Sequence, residues 1–409
     1  LIIKYSFYMI TKRIHVLDSL RGFSLLGVII IHMIQSFGIQ NPSSEITIFN
    51  YKILDESANW FAYNIVMGRF INIFALLFGL SFYIQLSNSK NKNQNFRNLF
   101  LRRMLFLFFL GLFAHSFYNV EILSVYALFG MILYFLRNLS NSSLLIISIF
   151  FLLGGQRIVQ TFNHNNSIQE NVEINTNYNS NQKHITEPSL LNSVKNNYEQ
   201  RLIGKISYQF GMYGRGYLTL SIFILGFIIG RLKIFENLGS YKKEYFKLFI
   251  YSILAFILIS VFINILPESN SRILFFPQNN YISSYTLFIK ALEDLLLLLS
   301  SIFILIGFIM LYNNQKFKIY LDYLSPYGKS ALTNYTLQGV FGAIIFYPWA
   351  FGNIFSLWGD FSIIILGILI YFTQMILSKY HLSNFRYGPL EWLWRCFTYL
   401  SIQPNNKPK

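Results

Sequence analysis

The sequence predicts an all-α polytopic membrane protein of about ten transmembrane helices, and three observations carry that prediction. Of its 409 residues, 54% are hydrophobic and only 12% are charged, roughly half the charge of an average soluble chain. The apolar residues run in blocks of about 20, the length that crosses a hydrocarbon core. The net charge of +16, from 33 Lys and Arg against 17 Asp and Glu, suits basic loops facing an anionic leaflet. Residues 1–409 are therefore read as a single integral-membrane domain.

Taken in order, the apolar segments centre on 20–38, 63–86, 99–118, 122–136, 143–160, 214–231, 246–266, 286–311, 330–350 and 360–378, the fourth being short for a span. With the N-terminus inside, threading these segments puts 23 of the 33 basic residues and 5 of the 17 acids on one side, a net of +18 that leaves −2 on the other. Such an imbalance is the positive-inside pattern. It assigns the basicity to the membrane, removes nucleic acid as a partner and predicts two cytoplasmic termini. No small-x-small cleavage site follows the first span, so no cleavable signal peptide is expected. Met9, or an alternative codon upstream, is the expected start. The lone Cys396 excludes an internal disulfide, a cysteine metal cluster and a CxxC pair.

Between the fifth and sixth spans, residues 161–205 hold eleven Asn with Ser and Gln, a composition too polar to order itself by burial. We expect an external loop there, partly disordered or acting as a lid, with His164 and His184 as surface histidines. Residues 385–409 are expected to form a cytoplasmic interfacial helix and tail, with Glu391 and Arg395 paired at i,i+4 and Trp392 and Trp394 as anchors.

Polar residues inside spans are costly and therefore informative. In the first span Arg21 and His32 lie eleven residues apart, about 20° beyond three full turns, so they share a helix face about 16 Å apart along the axis. Arg21 falls at the cytoplasmic mouth beside Asp18, and its guanidinium suits phosphate. His32 falls in the outer half, where a neutral imidazole can act as a general base. His115 and Glu121 bracket the turn between the third and fourth spans, so the carboxylate could orient the imidazole. Arg69, which opens the second span, is expected to anchor at the interface or to pair with Glu293 or Asp294. In the ninth span Asn334 and Gln338 share a face, either gluing helices together or forming a polar wall behind Lys329.

The run Leu17 to Gly22 with His32 beyond it resembles the first span of the transmembrane acyltransferase superfamily. More closely, the chain is similar to the YeiB-like family of uncharacterised bacterial membrane proteins. That resemblance is carried by Leu17 to Gly22 with Gly27, Phe74 to Gly79, Glu121 to Gly130, Gly328 to Gln338 and Gly388 to Arg395. Two positions depart from the YeiB-like pattern: His32 stands where Asn is common, and Glu121 where Asp is more usual.

The resemblance implies an acyltransferase of the bacterial cytoplasmic membrane that takes acyl-CoA, in particular acetyl-CoA, as co-substrate and needs no metal. Its acceptor would be an envelope glycan or lipid at the outer face, its surroundings membrane lipids, with a homo-oligomer left open. In that scheme His32 is the base or transient acyl carrier, with His115 and Glu121 beside it. Arg21 and Lys329 hold phosphates, and Asn334 and Gln338 line the channel. A transporter of a small amphiphile, without enzymatic activity, is the competing class.

Overall fold

Helix α1 (His15–Ile34) is largely apolar yet carries Asp18, Arg21 and His32, and a helix with such groups in an apolar run belongs against protein rather than lipid. In the computed structural model 83% of its apolar window is buried, against 6% for α11 at the periphery. Small residues let neighbouring backbones close on α1. A Cβ on Gly22 would strike the Leu324 carbonyl, and one on Gly328 would strike that of Asp18. The same device joins α3 to α10, where a Cβ on Gly79 would meet the Phe223 carbonyl and one on Gly226 that of Leu76. Close approach of this kind is how helices associate where lipid removes the hydrophobic drive between them.

The structure describes residues 14–38, 52–91, 95–170, 188–278, 280–355 and 357–407. After α1 come α2 (Lys52–Phe61), α3 (Arg69–Asn91), α4 (Phe96–Phe117), α5 (Leu123–Leu136), α6 (Asn141–Leu152), α7 (Gly155–Glu170), α8 (Leu190–Asn196), α9 (Leu202–Phe210) and α10 (Arg215–Arg231). The second half holds α11 (Lys242–Ile265), α12 (Ser284–Asn313), α13 (Gln315–Asp322), α14 (Ser325–Lys329), α15 (Ala331–Phe346), α16 (Gly352–Phe355), α17 (Asp360–Asn384) and α18 (Pro389–Tyr399). Among the described residues there is no β-strand, only an isolated bridge between Phe385 and Asn406. The expected start at Met9, the basic residues Lys4, Lys12, Arg13, Lys92 and Lys409, and His184 lie outside the described residues.

All ten segments expected to span are helical. Among the described residues, six helices are long and apolar enough to cross a membrane, or eight if each of two bent pairs counts as one span. The bends are 45° between α6 and α7 and 54° between the 190–210 segment and α10. Two further apolar helices, α5 and α15, are shorter.

The loop expected over 161–205 is helical at both ends: α7 continues to Glu170, and α8, a π-helical turn (Asn197–Arg201) and α9 fill 190–210. Residues 171–187 of this stretch lie outside the described residues; amides tie down the helices on either side of them. Asn165 donates to the Ile282 carbonyl (2.8 Å) and accepts from the Ile282 N–H (3.0 Å). Asn197 is fully buried and donates to the Ser116 carbonyl (3.1 Å) and the Tyr347 hydroxyl (2.8 Å). An amide satisfied on both its C=O and its NH2 replaces the water it gives up. His164 is half-buried, with Nε2 3.2 Å from the Asn280 carbonyl.

The C-terminal helix corrects a second expectation. Glu391 makes no i,i+4 pair with Arg395. Its buried carboxylate reaches α15 instead, accepting from the N–H groups of Leu332 (2.7 Å) and Thr333 (3.2 Å) and from the Thr333 hydroxyl (2.6 Å). It thus caps from outside a helix whose own N-cap, Ser330, makes no side-chain cap bond. Burial holds the carboxyl above its ordinary range against the pull of those donors. Glu391→Ala should lower stability by about 2–3 kcal/mol, since buried N–H groups lose their acceptor, and Glu391→Gln by about half that. Thermal unfolding of the purified variants in detergent reads the difference.

Candidate functional site

Two cavities lie toward the two ends of α1. The first, of about 280 Å³, is floored by aromatic and aliphatic side chains of α3 to α5, including Phe74, Phe78, Leu107 and Leu123. Five cations rim it: Arg21, Arg103, Lys329, Arg386 and Arg395. Glu391 is the acid in its lining, and that carboxylate is engaged in capping α15. Arg21 donates to Asp18 Oδ1 (2.8 Å) and to Ser81 Oγ (2.7 Å), which ties α1 to α3 and fixes the guanidinium at the cavity wall. Arg103 donates to Gln85 Oε1 (2.8 Å) and lies 4.6 Å above the Trp394 ring, while the Trp394 indole donates to the Arg103 carbonyl (2.9 Å). Arg395 sits 4.4 Å above the Tyr387 ring. Aromatic faces hold both guanidiniums without cancelling their charge, so the cavity stays basic.

The second cavity, of about 1060 Å³, contains His32. No hydrogen bond ties the imidazole to any described residue. Its ring rests instead against Phe37 (centroids 5.2 Å apart), Tyr118 (6.2 Å) and Tyr335 (6.4 Å). Glu121 lines the same cavity and is paired with Lys205 and Ser124. Asp294, also in the wall, bridges Arg157 and Lys290.

Tyr126 lines both cavities, and Tyr335 lines the first while packing on His32 of the second. Tyr126 is held between Phe74 (6.1 Å) and Phe78 (5.4 Å). The Tyr335 hydroxyl accepts the Ile122 N–H (3.1 Å). Tyr126 and Tyr335 thus form the partition at which a basic cavity adjoins one holding an uncommitted imidazole.

Of the residues singled out in the sequence, Arg21 and Lys329 meet in the first cavity, and His32 and Glu121 in the second. Arg21 and His32 therefore line different cavities, which adjoin at Tyr126. His115 is outside the lining of both. Its Nε2 lies 3.0 Å from the Asn197 carbonyl, and its carboxylate neighbour in sequence is committed to Lys205. Asn334 and Gln338 are also outside. Asn334 donates to the Tyr327 carbonyl (3.0 Å) and Ser378 Oγ (2.9 Å), and Gln338 to the Tyr327 hydroxyl (2.7 Å), so both amides join helices. Arg69 pairs with neither Glu293 nor Asp294 and donates to the Met67 carbonyl (3.2 Å), because Asp294 is already held by two buried cations. Sequence reasoning missed Arg103, Arg386 and Arg395 as cavity residues; the signal for the last two was a cation beside an aromatic, Phe385 and Tyr387 around Arg386 and Trp394 before Arg395. It also missed Lys205 and Arg215. Among the described residues no three His, Cys, Asp or Glu side chains group as a metal site would need.

This arrangement defines a helical protein with several helices long and apolar enough to cross a membrane and a cavity toward each end of a central one. Residues 229–401 match the family model described as "Protein of unknown function (DUF418)". The whole chain is similar to "Uncharacterized protein YxaH" of Bacillus subtilis (strain 168), 26% identical with 96% of each chain covered. It is likewise similar to "Uncharacterized 39.9 kDa protein in amylase 3'region" of Bacillus acidopullulyticus, 27% identical over 95% of this chain and 94% of the other. No solved structure matches it.

Proposed function

We propose that the chain is a YeiB-like member of the transmembrane acyltransferase superfamily, with ten spans and cytoplasmic termini in the bacterial cytoplasmic membrane. It moves an acetyl or similar acyl group from cytoplasmic acyl-CoA to an acceptor on the outer side. One observation carries this reading: the basic cavity and the His32 cavity share Tyr126 as lining, and Tyr335 of the first packs on His32 of the second. The five cations of the first cavity all belong to the side that the charge bias makes cytoplasmic, which is where acyl-CoA is available. A cavity of about 280 Å³ is too small for a whole CoA. It accepts the thiol arm over its apolar floor and leaves the phosphates at the cationic rim.

The chemistry then runs across the partition. His32 takes the proton of the acceptor hydroxyl as its oxygen attacks the thioester carbonyl. The C–O bond forms, the C–S bond breaks, and the imidazolium returns the proton to the departing CoA thiolate. Tyr335 accepts the Ile122 N–H and keeps its own O–H proton, which suits it to polarise the carbonyl from the partition.

Transport of a small amphiphile would use the same two cavities and would need no CoA. The purified protein should therefore melt at a higher temperature in millimolar CoA, as a ligand of the folded state requires, and Arg21→Gln should shrink the shift. Labelled acetyl-CoA supplied with envelope extracts should label an acceptor. Unchanged melting in CoA would reject the acyltransferase reading and favour the transporter.

A further inference from the structure

The His32 cavity treats its cations unequally. Lys205 is matched by Glu121, and Lys290 by Asp294, which also holds Arg157 behind the wall. Arg215, over nine-tenths buried, has no carboxylate among the described residues. One Nη donates to Asn72 Oδ1 (2.6 Å) and the Gly68 carbonyl (3.3 Å); the other Nη is buried with no partner. Asn72 in turn donates to Ser301 Oγ (3.0 Å). That chain of neutral groups orients the guanidinium but leaves its charge unanswered.

Placement adds to the imbalance. Arg215 is the first residue of α10, whose N-cap, Gly214, makes no side-chain cap bond. A cation there opposes the helix dipole, whereas an anion would be welcomed by it. Arg69 lines the same cavity without an acid and donates to the Met67 carbonyl (3.2 Å). Gly68 stands at φ +76°, a left-handed turn that glycine adopts freely; its carbonyl accepts from Arg215 and that of its neighbour Met67 from Arg69, and both guanidiniums line the one cavity.

We propose that Arg215 and Arg69 bind the phosphate of a phosphate-bearing acceptor, whose hydroxyl is thereby presented to His32. This deepens the acyltransferase reading and rests on it for the reaction, but not for the binding. Two guanidiniums with free N–H groups match the several oxygens of a phosphate better than the single plane of a carboxylate.

The test uses full-length protein in neutral detergent without CoA, titrated with glucose 1-phosphate, glucose and glucuronate. A parallel titration uses phosphatidylglycerol, with diacylglycerol as its phosphate-free blank. The expected result is a rise in melting temperature with a phosphate-bearing probe and none with glucose or diacylglycerol. Arg215→Gln should weaken binding about 10- to 100-fold, and Arg69→Gln should weaken it as well. A response to phosphatidylglycerol alone marks a lipid headgroup, and one to glucose 1-phosphate marks a soluble phosphate. Arg69→Gln changes a half-buried side chain, so it carries the test should Arg215→Gln fail to fold. The proposal is overturned if no phosphate probe binds, if glucuronate binds as well as the phosphates, or if both folded variants bind like wild type. Because the CoA response is read through Arg21, its loss with phosphate binding intact would reject acyl transfer while leaving this site standing.

Discussion

His32→Ala should abolish acyl transfer, reducing turnover by about 10²- to 10⁴-fold, the usual contribution of a positioned general base. The protein should still fold, because the imidazole makes no hydrogen bond to any described residue and lies against rings that can close on the space it leaves. CoA binding should persist, since the cations assigned to CoA belong to the cavity on the other side of the partition. His32→Asn separates polarity from basicity: an amide keeps a polar group in the second cavity but cannot take a proton at neutral pH. Loss of transfer in both variants, with the CoA-induced rise in melting temperature unchanged, is the pattern expected of a base. Turnover that survives His32→Ala would remove His32 from the mechanism.

How far the sequence reached depended on whether a signal was local. The helices were legible because a run of apolar residues is local, and even the bend at Gly154 falls inside a segment recognised as one span. Arg21 and His32 were legible because a charge or an imidazole stands out in an apolar run. The partners of these residues were not. Glu121 looks toward His115 in the sequence, six positions away, yet it pairs with Lys205, at the far end of the Asn-rich stretch. Nor does an amide in a span announce its use: Asn334 and Gln338 are satisfied within the bundle, while Asn72 holds a guanidinium at a cavity wall. The basic cavity draws Arg103 from α4, Arg386 from the turn after α17 and Arg395 from α18. Only the packed chain brings three such distant cations together.

Asp294→Asn should destabilise the fold by about 3–5 kcal/mol, the largest stability effect expected of a single side chain here. Asp294, Arg157 and Lys290 are all at most 5% exposed as side chains, and removing the one anion leaves two buried cations without a counter-charge. Glu293 cannot take over. It lies 3.6 Å from Lys290, but its side chain is 39% exposed, and a solvated pair contributes about 0–1 kcal/mol, so Glu293→Gln should change stability by no more than that. The loss at Asp294 should be partly undone by also removing a cation. Arg157→Met with Asp294→Asn should cost less than the two changes added together, as residues sharing one network require. Melting temperatures of the two single variants and the double variant measure that coupling. The same network bears on the site: Arg157 donates to the Tyr213 carbonyl (2.9 and 3.0 Å), and Lys290 lies 4.4 Å over the Tyr213 ring. Tyr213 and Asp294 both line the His32 cavity, so loosening the triad loosens the wall that faces the acceptor. A double variant that recovers stability should therefore still bind the phosphate-bearing acceptor less tightly than wild type. Strict additivity of the two single changes would show that Asp294 stabilises the fold by some route other than its two buried cations.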